Sequence, residues 1–255
     1  MGMTTLAGIR PRALALALAL ACGAPAAAAG GPCRALDFEG RGHVVCEVAA
    51  GDDLRLFLTA RDGAPLGTFD RLRGMVADQG LTLLFAMNAG MYHPDRRPVG
   101  LYLEAGREVA PLVRAAGPGN FGMRPNGVFC IREDGFSVTE TLEFDASPPA
   151  CRDASQSGPM LVIGGALHPR FLADATSRHI RNGVGVSADG QRAFFAISDA
   201  PVTFHEFARL FRDRLGTPDA LYLDGRISRL YAPDLGRDDF GFPMGPMVGL
   251  VARPD

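Results

Sequence analysis

Residue patterning predicts an α+β fold, a single domain with a mixed, largely antiparallel β-sheet core and two or three packed helices. Three observations lead there. Short apolar or alternating segments recur along the chain, most of them bounded by Gly, Asp or Asn turn residues. Few segments combine helical apolar spacing with capping signals. No Pro/Ser-rich linker, charge block or internal repeat divides the 255 residues.

The amino-terminal segment is read apart from the fold. Arg10 and Arg12 precede the apolar run Ala13–Ala21, and small residues follow from Ala24 to Gly30. That is the layout of a signal peptide with an A-x-A-like site. Residues 1–29 are therefore expected to be cleaved near Ala29, leaving residues 30–255 as the domain. The alternative, a lipid on Cys22, has Ala19, Leu20 and Ala21 before it, a poor match to a lipoprotein site. The run is short against the about 20 residues that span a bilayer, and no later segment qualifies. A periplasmic or secreted protein without a transmembrane segment is expected.

Along the domain, His43–Val48 and Leu54–Thr59 read as strands around a Gly51-Asp52 turn. Thr68 can cap a helix from Phe69 to about Gln79, with Leu72, Met75 and Val76 inward. Thr82–Met87 is an apolar strand that stops at Asn88-Ala89-Gly90. Val99–Leu103 can pair with the segment after Gly106, and Gly127–Ile131 with Phe136–Thr141. Pro159–Ile163 is a strand, and Asn182–Ser187 and Arg192–Ile197 form a hairpin around Ala188-Asp189-Gly190. Thr203 and Glu206 make a capping box for a helix whose apolar face is Phe204, Phe207, Ala208, Phe211 and Leu215. Ala220–Leu223 and Met247–Val251 are the last strands.

Composition removes several chemistries. There is no lysine, which excludes a Schiff-base or PLP enzyme and a Walker-type phosphate loop. There is no tryptophan, so any sugar-stacking surface must use Phe or Tyr. Net charge is only −2 with both signs interspersed, which points away from nucleic acid as a partner. His43, His93, His168, His179 and His205 show no H-x-x-x-H spacing, and no C-x-x-C or G-x-S-x-G occurs. No metal or other cofactor and no protein partner is expected. Cys33, Cys46, Cys130 and Cys151 suggest two disulfides in an oxidising compartment. Three pairings are possible; Cys33–Cys46 and Cys130–Cys151 are favoured because each closes a short loop.

Polar residues gather where apolar strands end, a placement that holds side chains firmly beside open turns. Asp224 ends the strand Ala220–Leu223, and Asp199 follows Arg192–Ile197. Each also has a plain reading, as a turn former or a strand-ending residue. Glu206 is explained by its capping box. Arg178 and Arg181 are spaced to face one anion, and the bland alternative is two solvated surface arginines.

Taken together, Asn88-Ala89-Gly90-Met91-Tyr92, Ser157-Gly158-Pro159, Ile180-Arg181-Asn182-Gly183-Val184-Gly185, Ser198-Asp199 and Leu223-Asp224-Gly225-Arg226-Ile227-Ser228 resemble, in order and spacing, the motifs of the phosphodiester glycosidase family. The resemblance covers roughly residues 80–252. Ala89, Asn182 and Arg226 depart from the family's usual glycine, threonine and glycine. The stretch from Asn88 to Asp95 suggests a subgroup with its own pocket.

The resemblance implies hydrolysis of the sugar C1–O bond of sugar-1-phosphodiesters, in carbohydrate or envelope metabolism. Asp224 and Asp199 are then the expected catalytic carboxylates, and Arg181, with Arg178 as a second arm, the phosphate clamp. Asn88, Ser157, Gly158, Gly225 and Ser228 are expected to line the substrate. Two rival functions use the same residues: a non-catalytic envelope protein binding phosphorylated polysaccharide, and a phosphodiesterase breaking the P–O bond. A third, structural reading requires only that these turns cap strands.

Overall fold

The computed structural model describes residues 1–3, 30–224 and 227–254; the expected signal segment, apart from residues 1–3, lies outside them. β1 (Cys33–Phe38), β2 (Arg41–Ala49) and β3 (Asp53–Phe57) lead to α1 (Phe69–Ala77). β4 (Thr82–Asn88), β5 (Tyr102–Glu104), β6 (Arg107–Ala110), β7 (Gly127–Arg132) and β8 (Gly135–Glu140) precede α2 (Thr141–Ala146). β9 (Asp153–Ser157), β10 (Met160–Ile163), β11 (Ala166–Leu167), β12 (Asn182–Val186) and β13 (Arg192–Ser198) lead to α3 (Phe204–Arg209). α3 continues through a π-helical turn, Leu210–Arg214. β14 (Asp219–Asp224), β15 (Leu230–Ala232), β16 (Arg237–Asp238) and β17 (Met247–Ala252) complete the chain.

These strands form three antiparallel sheets, ordered β1-β2-β13-β12-β14-β10-β11, β16-β15-β4-β17-β3 and β6-β5-β9-β7-β8. The fold is α+β, and every sheet pairing among the described strands is antiparallel. The inner faces meet in one core that includes Val44, Leu56, Phe85, Phe129, Phe195 and Leu223. Each outer face is covered by a helix. Phe69, Leu72 and Val76 of α1 pack on Leu83 and Ala86 of β4. Phe144 of α2 packs with Val128 and Cys130. Phe207, Ala208 and Phe211 pack on Val45, Phe194 and Ala196. Central strands are thus buried on both faces, which is why Ala193–Ile197 reads as a continuous apolar run rather than an alternating one.

Local signals explain the helix ends. The Thr68 side chain accepts from Arg71 N, and Thr203 and Glu206 close their capping box in both directions. Gly183 and Gly185 let α3 and its π-helical turn approach β12. A Cβ on Gly185 would lie 2.7 Å from Phe211 Cδ1 and 2.6 Å from Thr217 Oγ1.

β1, β11, β15 and β16 were not expected from the sequence, and two further differences have a clear cause. Thr141 opens a helix instead of ending a strand, because the Glu140 carboxylate accepts from both Leu142 N and Glu143 N. Asp153–Ser157 is a fully buried strand despite its polar sequence.

The disulfides are Cys33–Cys46 and Cys130–Cys151. The first joins partners directly opposed on β1 and β2, and the second ties β7 to the segment entering β9. Replacing Cys130 and Cys151 together by Ala is expected to cost about 3 kcal/mol, the loop-closure entropy of a cross-link of this span. The urea midpoint of the double variant checks this. No helix of the described residues is long and apolar enough to cross a membrane.

Candidate active site

β12 lies between β13 and β14, so one end of the seven-stranded sheet collects three motifs. Asn182 is opposite Ile197 on one side and Asp224 on the other. Asn182 and Gly183 are adjacent, yet they face Asp224 and Tyr222, which makes Leu223 the extra residue of a β-bulge. Bulges of this kind re-aim strand-end side chains.

A buried amide and hydroxyl network holds this end. Asn88 Nδ2 donates to Asn182 Oδ1 at 3.1 Å, and Asn182 Nδ2 donates to Asn88 O at 2.8 Å. Asn88 Oδ1 accepts from Arg229 N at 2.9 Å. The Ser228 hydroxyl reaches Asp224 O at 3.0 Å, with Ile180 O and Asn182 Oδ1 as its other acceptors. Ser157 Oγ donates to Leu223 O at 2.8 Å. Strands from separate sheets are thereby clamped around the backbone of Asp224. These bonds engage Asn88, Ser157 and Ser228, the residues expected to line the substrate. Gly158 also has a packing reason: a Cβ there would meet Asn126 Cβ at 2.6 Å and Phe121 O at 3.1 Å. Gly225 lies outside the described residues.

Asp224, 7% exposed, lines a cavity of about 620 Å³. Its other walls include Tyr92, His93 and Arg96, then Asn120, His179 and Ile227. The Met91–Val99 turn is closed by Val99 N to Met91 O, His93 N to Arg97 O and Arg96 N to His93 O. Arg96 has φ 72° and lies over the Tyr92 ring. Burial, reinforced by the charge of Asp224, raises the pKa of the Tyr92 phenol, against the charges of Arg96 and Arg229.

The other expected residues sit elsewhere. Arg181 is 1% exposed and does not line the cavity. Its guanidinium lies 3.6 Å over the Phe204 ring and donates to Val202 O, Tyr222 Oη and Ser177 O. Phe204 and Tyr222 pack around the cation, and burial lowers its pKa. Arg178 gives both terminal nitrogens to Glu206, at 2.6 and 3.0 Å, and Arg41 adds a further bond. Burial opposes ionisation of Glu206, yet hydrogen bonds from Arg178 and Thr203 N, with the charges of Arg41 and Arg178, bring its pKa down to about 2. Glu206 thus has a second role beyond its cap, and Arg178 is engaged away from the cleft.

Asp199 is not a cavity-lining residue. It accepts from Arg237 Nη1 at 2.8 Å, and its charge favours protonation of buried His43, whose pKa burial lowers. Among the expected site residues, Asn88 and Asp224 share one end of the fold through Asn182, while Arg181 and Asp199 have other partners.

Arg96 and Asn120 were not singled out from the sequence, while Tyr92 lies in the stretch expected to shape a pocket and His179 sits between the two expected arginines. The only signal for Arg96 is the long turn after Asn88; none was visible for Asn120. Among the described residues no cluster of His, Cys, Asp or Glu is arranged to hold a metal ion.

The catalytic domain of zebrafish N-acetylglucosamine-1-phosphodiester alpha-N-acetylglucosaminidase superposes with a TM-score of 0.58, covering 88% of this chain and 85% of that one. Identity is 14%, so this likeness is one of fold. The profile of the phosphodiester glycosidases matches residues 82–237, and the chain belongs to that family. The uncharacterized protein YigE of Escherichia coli (strain K12) is 36% identical over 178 residues, which span 70% of this chain and 69% of YigE.

Proposed function

We propose that this protein hydrolyses the sugar C1–O bond of sugar-1-phosphodiesters, with Asp224 as the carboxylate at the anomeric carbon. The observation that carries the reading is the cleft that Asp224 lines together with a cation, Arg96, and an imidazole, His179. The departing phosphomonoester is a good leaving group, so the site's main tasks are holding phosphate and stabilising charge at C1. Arg96 and His179 are assigned to the phosphate. Asp224 acts as nucleophile or as the base that takes a proton from water. Water supplies the oxygen on C1, and the phosphate leaves with the electrons of the broken bond. Arg181, Asn88, Asn182, Ser157 and Ser228 act by positioning, and Asp199 holds Arg237. The signal-like amino terminus and the two disulfides support a periplasmic or secreted location.

The test is a screen of purified protein against sugar-1-phosphodiesters beside neutral aryl glycosides. Release of free sugar from the diesters is expected. In Arg96→Ala, kcat/KM for the diesters is expected to fall about tenfold further than for the neutral glycosides, the worth of one charge-assisted contact. Equal losses on both would remove Arg96 from the phosphate.

A further inference from the structure

A second cleft, of about 500 Å³, shares no lining residue with the Asp224 cavity. It lies between β3 of the second sheet and the part of the third sheet where β5 meets β9. β5 pairs with β9 through Tyr102 opposite Ser155 and Leu103 opposite Ala154, so the same register sets Glu104 across from Asp153. Residues opposed in this way share one face of the sheet with Cβ atoms about 5 Å apart, and like charges there repel. On its other side Glu104 is opposite Arg107 of β6.

Both carboxyls connect the third sheet to the second. Asp153, 2% exposed, accepts from Arg152 Nε at 2.7 Å and from Ala105 N at 2.8 Å. The same guanidinium donates through Nη2 to Leu54 O of β3. The backbone N–H of Leu58, the residue after β3, serves the Glu104 carboxyl. The other groups around the cleft leave this pair as it is. Arg55 gives Nε and Nη2 to Asp53, Arg61 is exposed, and the end of α1 supplies the uncharged Met75 and Gln79. The Tyr102 phenol on the same face of β5 is wholly buried, which raises its pKa and keeps it neutral. Since Asp153 already holds two donors, Glu104 is the member that keeps a proton. Burial and the charge of Asp153, against Arg107, the Leu58 N–H and Tyr102, bring its pKa up to about 7.

We propose that Glu104 and Asp153 form a pH-sensitive latch on the seam between the second and third sheets, closed when Glu104 carries its proton and loosened when it does not. A proton on Glu104 removes the repulsion and leaves an oxygen to accept from Leu58 N. Without the proton, the open cleft gives the carboxylate a path to water, and Leu58 N is released. β9 runs from Asp153 to Ser157, whose hydroxyl binds Leu223 O beside Asp224, so the latch sits at the far end of a strand that supports the active-site cleft. The folded pKa lies above the ordinary 4.5. The stability the proton confers is therefore complete below about pH 4.5 and is lost as pH rises through about 7.

Three measurements on the whole protein test this. Carbon-13 NMR of the Glu104 carboxyl is expected to give a midpoint of about 7, and a midpoint at the ordinary 4.5 overturns the latch. Between about pH 5 and about pH 8, the thermal midpoint of wild type is expected to fall about 4 °C further than that of Glu104→Gln, whose amide keeps an acceptor for Leu58 N and carries no charge. Equal falls in the two proteins overturn it. Hydrogen exchange locates the change. Corrected for intrinsic rate, the Leu58 and Ala105 amides are expected to exchange faster at the higher pH in wild type but not in Glu104→Gln. Acceleration spread evenly over all three sheets overturns the assignment to this seam. Should Glu104→Gln fail to fold, the carboxyl midpoint and the wild-type exchange pattern decide the matter.

Discussion

Asp224→Asn is expected to lower turnover of a sugar-1-phosphodiester by at least about a hundredfold, the low end of what general acid–base or nucleophilic groups contribute. The substitution is nearly isosteric and sits where Ser228 and Ser157 grip the backbone at Asp224 O and Leu223 O rather than the carboxylate. The fold should therefore survive with the cleft intact. What is lost is a negative charge at 7% exposure, where little water screens it. That charge is already felt by Tyr92, whose pKa it helps to raise, so the variant should also let the Tyr92 phenol titrate at lower pH. Near-normal turnover in Asp224→Asn would remove the residue from the reaction.

The second large effect is on stability. Arg181→Met is expected to destabilise the protein by about 3 kcal/mol, from lost buried hydrogen bonds and a lost cation–π contact. Tyr222 Oη and Val202 O lose the guanidinium, though Val202 O keeps His179 N, and Phe204 loses the guanidinium on its face. Methionine replaces much of the volume, so cavity formation is a smaller part of the cost. Relief of the desolvated cation offsets some of the loss, which keeps the figure near that of a few hydrogen bonds. Urea midpoints measure it. If Arg181 instead clamped phosphate directly, the variant would keep its stability and lose activity selectively on phosphodiesters.

Much of the scaffold was legible because its signals are local. The Thr68 cap and the Thr203–Glu206 capping box each lie within one helical turn, and the Asp189-Gly190 turn announces its hairpin, whereas the Gly51-Asp52 turn passes the chain from one sheet to another. The disulfide pairing was readable because both loops are short. Asp224 was visible as the polar end of an apolar strand.

What escaped the sequence depends on distant partners. β9 reads as a loop, yet Gln156 Oε1 accepts from Leu101 N and Val113 N while its Nε2 donates to Val113 O and Thr141 Oγ1. A polar strand can be fully buried when its side chains serve backbone groups in this way. Arg181 reads as an anion binder because nothing local shows that Phe204 and Tyr222 will enclose it. Arg178 reads the same way, although Glu206, 28 residues on, takes it. The cleft walls were hidden for the same reason: Asn120 and His179 join Tyr92 and Arg96 only through the tertiary fold.

The most direct measurement is hydrolysis of a sugar-1-phosphodiester in heavy-oxygen water, with Asp224→Asn as control. Cleavage at the anomeric carbon places the label in the released sugar, and the control releases almost none. Label recovered in the phosphate would mean that the P–O bond breaks, and the glycosidase reading of this cleft would be wrong.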